Sequence, residues 1–143
     1  MPYEFLEDIA TADIAFRAWG KNLEETFQAA ADATMNVMIE DLNSIRHKEE
    51  RTIRLENEAL DMLLFNLLQE IIFFKDSEGL LLRVTRIEIA RHGGVFSLAA
   101  TASGEKLDPE VHRQRVDVKA VTLHRFALEQ TARGWEASVI LDI

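Results

Sequence analysis

The stretch Leu60-Asp-Met-Leu-Leu-Phe-Asn-Leu-Leu-Gln-Glu-Ile-Ile72 carries the clearest structural pattern in the chain. Its large aliphatic residues recur at intervals of three and four, which places them on one face of an α-helix. They are Leu60, Leu63, Leu64, Leu67, Leu68, Ile71 and Ile72. Asn57 is expected to cap the start of this helix, and Asp76-Ser-Glu-Gly79 to break it. The sequence therefore predicts one long amphipathic helix that covers a core.

A second amphipathic helix is predicted nearer the N-terminus. Asn22 can cap it, and Glu25 stands three residues later, where a capping box places its acidic partner. The apolar stripe of this helix consists of Leu23, Phe27, Ala30, Ala31, Thr34, Met35 and Met38. The helix is expected to end at Met38 or Ile39.

Most of the remaining chain shows the two-residue alternation or the apolar runs of β-strands. The predicted strands are Tyr3–Ile9, Asp13–Trp19, Glu49–Glu56, Leu80–His92, Val95–Ser103, Asp117–Gln130 and Gly134–Ile143. Gly93-Gly94 is a two-residue hairpin signal, whereas Gly104–Arg115 is polar and is expected to be an exposed loop. The prediction is a single α+β domain over residues 1–143, a two-layer sandwich with two helices on a mostly antiparallel sheet.

Composition excludes several classes of function. The 143 residues include no cysteine, which rules out disulfides and thiolate chemistry and agrees with a cytoplasmic protein. The formal net charge is -9, and no Lys/Arg cluster is present, so autonomous nucleic-acid binding is not expected. No apolar run approaches the roughly 20 residues that span a membrane, and the N-terminus has no signal-peptide pattern.

The last predicted strand ends on an acidic and an apolar residue, Asp142 and Ile143. This arrangement sets the Asp142 side chain beside the main-chain carboxylate of Ile143, and paired hard oxygens suit Mg²⁺, Ca²⁺ or Mn²⁺. An ordinary edge strand that ends at the surface is the alternative. Asp8 and Asp13 flank the turn between the first two strands, and taken alone each residue of this kind is more often a turn or cap residue than a ligand. Asp13 would join a metal site only if its strand lay beside the last one.

Basic residues are the other candidates for a site. Lys119 and His124 are separated by five positions and should face opposite sides of a regular strand. Lys119 is either a solvated edge residue or a counter-charge to the acids or to a phosphorylated ligand. Lys106 and His112 lie in the polar segment, where an isolated histidine is usually exposed. Phosphate-binding loops, nucleophile elbows and zinc motifs are missing from the sequence.

Several segments together resemble the archease family across essentially the whole chain. They are Tyr3-Glu-Phe-Leu6, Thr11-Ala-Asp-Ile14, Gly20, Leu23-Glu-Glu, Gly104-Glu-Lys-Leu-Asp108, Val118-Lys-Ala-Val-Thr-Leu-His124 and Val139-Ile-Leu-Asp-Ile143. The resemblance implies a strand-helix-strand-strand α+β core. It also implies an accessory protein of an RtcB-type RNA ligase in tRNA splicing and RNA repair. Archeases promote GTP-dependent guanylylation of that ligase and its multiple turnover.

The resemblance also implies a metal site. The family's aspartate of the Thr-Ala-Asp-Ile motif, its penultimate aspartate and its terminal carboxylate match Asp13, Asp142 and Ile143 here. The family motif often begins with histidine, where this chain has Ala10, so any role of that histidine does not carry over, although Asp8 could supply an extra oxygen. A metal-dependent phosphoester hydrolase and a chaperone-like binding module are the alternative functions.

Overall fold

The computed structural model describes residues 2–6 and 13–143. Seven strands, two α-helices and one short 3₁₀ helix make up this part of the chain. In chain order they are β1 (Tyr3–Leu6), β2 (Asp13–Gly20), α1 (Leu23–Met38), the 3₁₀ helix (Leu42–Ser44), β3 (Glu49–Asn57), α2 (Leu60–Glu78), β4 (Leu80–His92), β5 (Val95–Lys106), β6 (Ala120–Thr131) and β7 (Gly134–Asp142).

Helix α1 confirms its prediction at both ends. The Asn22 side chain accepts a hydrogen bond of 2.8 Å from the main-chain N–H of Glu25, which satisfies one of the free donors of the first turn. The helix ends at Met38, with Ile39 as its C-cap. Residues on almost every side of α1 are buried, more than the predicted stripe. A helix buried all round must have protein on several sides, and α1 contacts strands of two different sheets.

Helix α2 is longer than predicted and begins differently. It continues through Asp76 and Glu78 and stops at Gly79, whose φ of 65° lies in the left-handed region that favours glycine. Ala59, and not Asn57, is the N-cap residue. The Asn57 side chain instead accepts from the N–H of Ala59, 2.9 Å away, in the turn before the helix. The predicted apolar stripe is buried from Leu63 to Ile72.

The α+β class is confirmed, but the strands form two antiparallel sheets and not one. The first sheet has the order β1-β2-β7-β6 and the second the order β3-β5-β4. Both helices contact strands of both sheets, so the apolar side chains of all these elements pack into one core. None of the described helices is both long and apolar enough to cross a membrane.

After the first strand, strand limits agree with the sequence prediction to within one residue, except at the end of β5 and the start of β6. β4 and the Gly93-Gly94 turn are confirmed, with His92 paired to Val95 across the turn. β5 continues to Lys106, so the predicted loop loses its first three residues to a strand. β6 begins at Ala120 and not at Asp117, because Asp117 and Val118 are tied to Lys75 of α2. The predicted extension of the first strand to Ile9 lies outside the described residues.

Candidate metal site at the end of a sheet

Asp13 and Asp142 face each other across two neighbouring strands. They are register partners in the antiparallel pair β2–β7, and such partners place their Cβ atoms about 5 Å apart on one face of the sheet. β7 lies between β2 and β6, and Asp142 also pairs with Ala120. Both aspartates are half-buried. The topology therefore meets the condition that sequence analysis set for Asp13.

Another acidic pair on the same sheet shows how such pairs are neutralised. Glu129 and Glu136 are register partners in β6–β7, and like charges directly opposite are unfavourable. Nε of Arg17 lies 3.0 Å from a carboxylate oxygen of Glu136, and Nη1 of the same residue lies 3.1 Å from Glu4. Within residues 2–6 and 13–143, neither Asp13 nor Asp142 has an ion-pair partner. A bound cation would supply the missing positive charge.

The donor set at this pair is made of hard oxygens. Two carboxylate side chains face one another, and the chain continues from Asp142 to Ile143, whose half-buried side chain packs against the core. Among the described residues, no three His, Cys, Asp or Glu side chains cluster with metal-binding geometry. Side chains of the described part alone would thus offer a metal ion two ligands, and a main-chain carboxylate at Ile143 would be the third. Oxygen donors of this kind fit Mg²⁺, Ca²⁺ or Mn²⁺.

Lys119 lies next to the acidic pair through its backbone. Its main-chain N–H donates a hydrogen bond of 2.8 Å to the carbonyl oxygen of Asp142, just before β6 begins. Its side chain is exposed. The prediction that Lys119 and His124 lie on one regular strand is wrong. β6 starts after Lys119, and its pairing with β7 is interrupted between Thr122 and Ala127, where exposed His124 lies.

The other accessory candidates are not brought to the pair by strand pairing. Lys106 is exposed at the end of β5, in the other sheet, where it is the register partner of Leu80. Asp8 lies outside the described residues. The β2–β7 register thus brings together two of the candidate residues, Asp13 and Asp142, while the roles of all the candidate site residues stay predictions.

A second polar cluster was missed because it forms within the segment predicted to be an exposed loop. Glu105 and His112 are only 4% and 1% exposed. The His112 Nδ1 accepts from the N–H of Asp108 at 2.9 Å, so its ring proton resides on Nε2, which donates to Glu105 at 2.8 Å. The expectation of an exposed histidine is therefore wrong: His112 joins the loop to β5.

Glu105 is held as a carboxylate by several donors. The main-chain N–H of Arg46, 2.8 Å from Oε2, contributes most to lowering the pKa of Glu105 from 4.5 to about 2. Burial acts in the opposite direction, while hydrogen bonds from His112 and the Arg46 guanidinium lower the pKa further. No local signal marks Glu105 as buried, since Arg46, which lowers its pKa most, lies 59 residues away in sequence. This cluster stabilises the fold and lies on the second sheet, away from the strands of the acidic pair.

An open cleft of about 630 Å³ lies at the opposite end of β2 and β7. It is lined by Trp19, Trp135 and a mixture of basic and acidic side chains, among them Arg133 and Glu25. Gly20 is the register partner of Trp135, whereas Asp13 is the partner of Asp142 at the other end of the same strand pair. The cleft is therefore separate from the acidic pair.

Together, the fold and the site define a small α+β protein that carries paired carboxylates at one end of its first sheet. The sequence model of the Archease protein family (MTH1598/TM1083) matches residues 3–143. The chain is 40% identical over 134 residues to the archease of Pyrococcus abyssi, a match that covers 93% of this chain and 94% of the relative. It is 41% identical over 142 residues to that of Methanosarcina mazei, covering 99% and 95%. The chain belongs to the archease family.

Solved structures agree with this assignment. The solution structure of protein 1598 from Methanobacterium thermoautotrophicum superimposes with a TM-score of 0.86 at 34% identity, over 99% of both chains. A crystal structure from Thermotoga maritima, described as an archease and possible chaperone, shares the fold with a TM-score of 0.58 at 20% identity. It covers 94% of this chain and 93% of its own.

Proposed function

We propose that this protein is an accessory factor of an RtcB-type RNA ligase that acts in tRNA splicing and RNA repair. It would promote GTP-dependent guanylylation of the ligase and its multiple turnover, and would work in the cytoplasm. The observation that carries the proposal is the register pairing of Asp13 with Asp142, in a chain of the archease family. Archeases are accessory proteins and not enzymes, so the chemical step would belong to the ligase.

The proposed site is formed by Asp13, Asp142 and the main-chain carboxylate at Ile143. Two facts favour a cation there: the aspartates are strand neighbours, and Arg17 neutralises the comparable glutamate pair but not this one. A divalent ion, once bound, would supply concentrated positive charge for the phosphates of a nucleotide. The chain's own part is to hold the three carboxylates in place, with the carbonyl of Asp142 fixed by the main-chain N–H of Lys119.

The position of the Asp13–Asp142 pair allows a partner protein to reach it. Asp142 lies near the end of the central strand β7, and both aspartates are half-exposed, so groups outside the chain can reach them. Preorganised charge contributes to phosphoryl transfer only where it is placed before the reaction, and a rigid sheet end provides such placement. We therefore propose that the sheet holds the paired carboxylates in a fixed position for the partner.

The decisive experiment is RNA ligation by the cognate RtcB-type ligase with GTP and Mn²⁺, with and without this protein. Wild-type protein should convert single-turnover into multiple-turnover ligation. Asp13→Asn and Asp142→Asn should remove the stimulation while circular dichroism shows an intact fold. Glu129→Gln is the matched control, because it removes a carboxylate from a register pair of the same sheet and should leave stimulation unchanged.

Three further results would decide against parts of the proposal. Full stimulation by folded Asp142→Asn would exclude the acidic pair from the mechanism. Phosphoester hydrolysis by the purified protein alone would favour the metal-dependent hydrolase. Suppression of client aggregation that is independent of both aspartates would favour the chaperone-like module. A chain extended by two glycines after Ile143 tests the third ligand, since the extension converts the carboxylate at Ile143 into an amide.

A further inference from the structure

Strand β6 forms the edge of the first sheet and contains an unusual insertion beside the acidic pair. Thr122 pairs with Ile140 and Ala127 with Ser138, so the four residues 123–126 stand opposite Val139 alone. Val139 is three residues from Asp142, about 10 Å along the strand. Arg125 has a φ of 53°, and it is the one non-glycine residue with positive φ in the described part of the chain. Such a conformation in a bulky residue requires support from its surroundings.

Helix α2 supplies that support. The ring of Phe126 packs edge-on against Phe65, with centroids 5.5 Å apart. One helical turn later, the Gln69 side chain accepts a 3.0 Å hydrogen bond from the N–H of Val121. The insertion is thus anchored at Phe126, while Leu123, His124 and Arg125 are exposed. Bulges at sheet edges commonly redirect side chains toward a site.

The next residue on the same face of α2 is Phe73. Phe65, Gln69 and Phe73 follow each other at intervals of four, one above the other on the helix. Phe73 therefore lies one turn beyond Gln69, whose side chain contacts Val121 of β6. The contact of Lys75 with the carbonyl of Val118, at 3.1 Å, shows that this end of α2 lies against the residues just before β6.

Phe73 and Leu123 are the two most exposed large apolar side chains of the described residues, at 57% and 61%. Leu123 lies in β6, and Phe73 lies on α2, which packs against β6. Lys119 and Arg125 are exposed beside them, and neither forms an ion pair within the described part of the chain. This surface is apolar and basic on a chain whose net charge is -9, which singles it out from its surroundings.

We infer that the β6 surface, made of Phe73, Lys119, Leu123, His124 and Arg125, is the docking surface for the ligase. The inference rests on the proposed function and identifies the surface that the ligase would contact. The complementary ligase surface is a protein surface with an apolar centre and carboxylates around it. Apolar anchors surrounded by charges are typical of protein interfaces, whereas phosphate binding alone would not use Phe73 or Leu123. Docking here would bring the partner to the edge strand next to β7, the strand that carries Asp142.

An alternative explanation of the insertion is that it protects the edge of the sheet. Bulges and cations do prevent edge strands from pairing with other chains. That role explains Arg125 and the interrupted pairing, but exposed Leu123 and Phe73 work against it, since both add apolar surface at the edge. Edge protection also predicts no change in ligase binding when these two residues are replaced.

The test compares Phe73→Asp and Leu123→Asp with the control Ala132→Asp, which adds the same charge in the exposed turn at the far end of β6. Dissociation constants for the purified ligase are measured by calorimetry without RNA, after circular dichroism has verified each fold. Each of the first two variants should weaken binding about tenfold or more, which is typical of a central interface residue. Ala132→Asp should bind like wild type.

Ligation titrations separate docking from the metal site. Phe73→Asp and Leu123→Asp should raise the concentration that gives half-maximal stimulation, with the maximum unchanged, whereas Asp142→Asn should lower the maximum. Wild-type binding by both surface variants would overturn the docking proposal, and so would a loss that occurs only when RNA is present. Wild-type protein that binds through this surface without stimulating ligation would overturn the proposed function and leave the docking surface standing.

Discussion

Asp142→Asn should stabilise the metal-free protein and abolish its response to divalent ions. The two aspartates of the register pair have their Cβ atoms about 5 Å apart, and we take a similar separation for their charges. At that distance their repulsion is about 0.8 kcal/mol at the dielectric constant of water and about 3 kcal/mol at an effective value of 20. For half-buried groups we expect about 1 kcal/mol. For a chain of this size, that raises the melting temperature by about 4 °C.

A divalent ion should reverse the order of thermal stability, so that the wild type becomes more stable than Asp142→Asn. An ion that binds only the folded wild type, at a hundred times its dissociation constant, adds about 2.7 kcal/mol of stability. The wild-type melting temperature should then rise by roughly 10 °C, whereas that of Asp142→Asn should change little. Thermal unfolding followed by circular dichroism, in chelator and then with Mn²⁺, Mg²⁺ or Ca²⁺, measures both effects and ranks the three ions.

Glu129→Gln serves as the control for this experiment. It removes one carboxylate from the pair with Glu136, whose charge Arg17 already balances, so it should keep the full ion-dependent rise. The reasoning is refuted if Asp142→Asn is no more stable than wild type in chelator. It is equally refuted if the variant gains as much stability from the ions as the wild type does.

Three further changes test the fold. Gly104→Ala should cost about 3 kcal/mol or more, because its Cβ would lie 1.6 Å from the carbonyl oxygen of Leu81; urea unfolding measures the loss. The stability that Glu105 contributes should be complete above pH 4.5 and should disappear as the pH falls toward 2, because the hydrogen bonds from Arg46 lower its pKa. The melting temperatures of wild type and Glu105→Gln should therefore converge over that pH range. Asn22→Ala removes the α1 cap and should cost about 1 kcal/mol, measured by the same denaturation.

Much of the fold followed from local patterns. The 3–4 spacing of the α2 stripe and the two-residue alternation of the strands are properties of neighbouring residues, and they predicted both helices and the limits of β4 directly. The division into two sheets did not follow, because which strands pair is decided by packing across the chain. Glu105 illustrates the same limit, since its main hydrogen-bond donor, Arg46, lies 59 residues away in sequence.

The chemistry of the acidic pair could be predicted from the sequence, but the pairing of its two residues could not. The oxygen chemistry of Asp13 and Asp142 could be recognised in the sequence, but only the β2–β7 register places them opposite one another. The sequence predicts a regular strand at the interrupted β6 segment, because Leu123 to Phe126 include no glycine or proline that would indicate an irregularity. The anchor that makes it irregular is Phe65, on a separate helix.

Pairing of β2 with β7 joins the two extremes of the described chain, and this has a consequence for how the protein becomes active. Contacts between distant segments form late in folding, because the entropy of closing a long loop must be overcome first. The second sheet, built from consecutive segments between Glu49 and Lys106, can assemble earlier. Asp13 and Asp142 are therefore expected to come together late in folding. If the proposed function holds, a ligase would encounter the paired carboxylates only on molecules that have completed this late step.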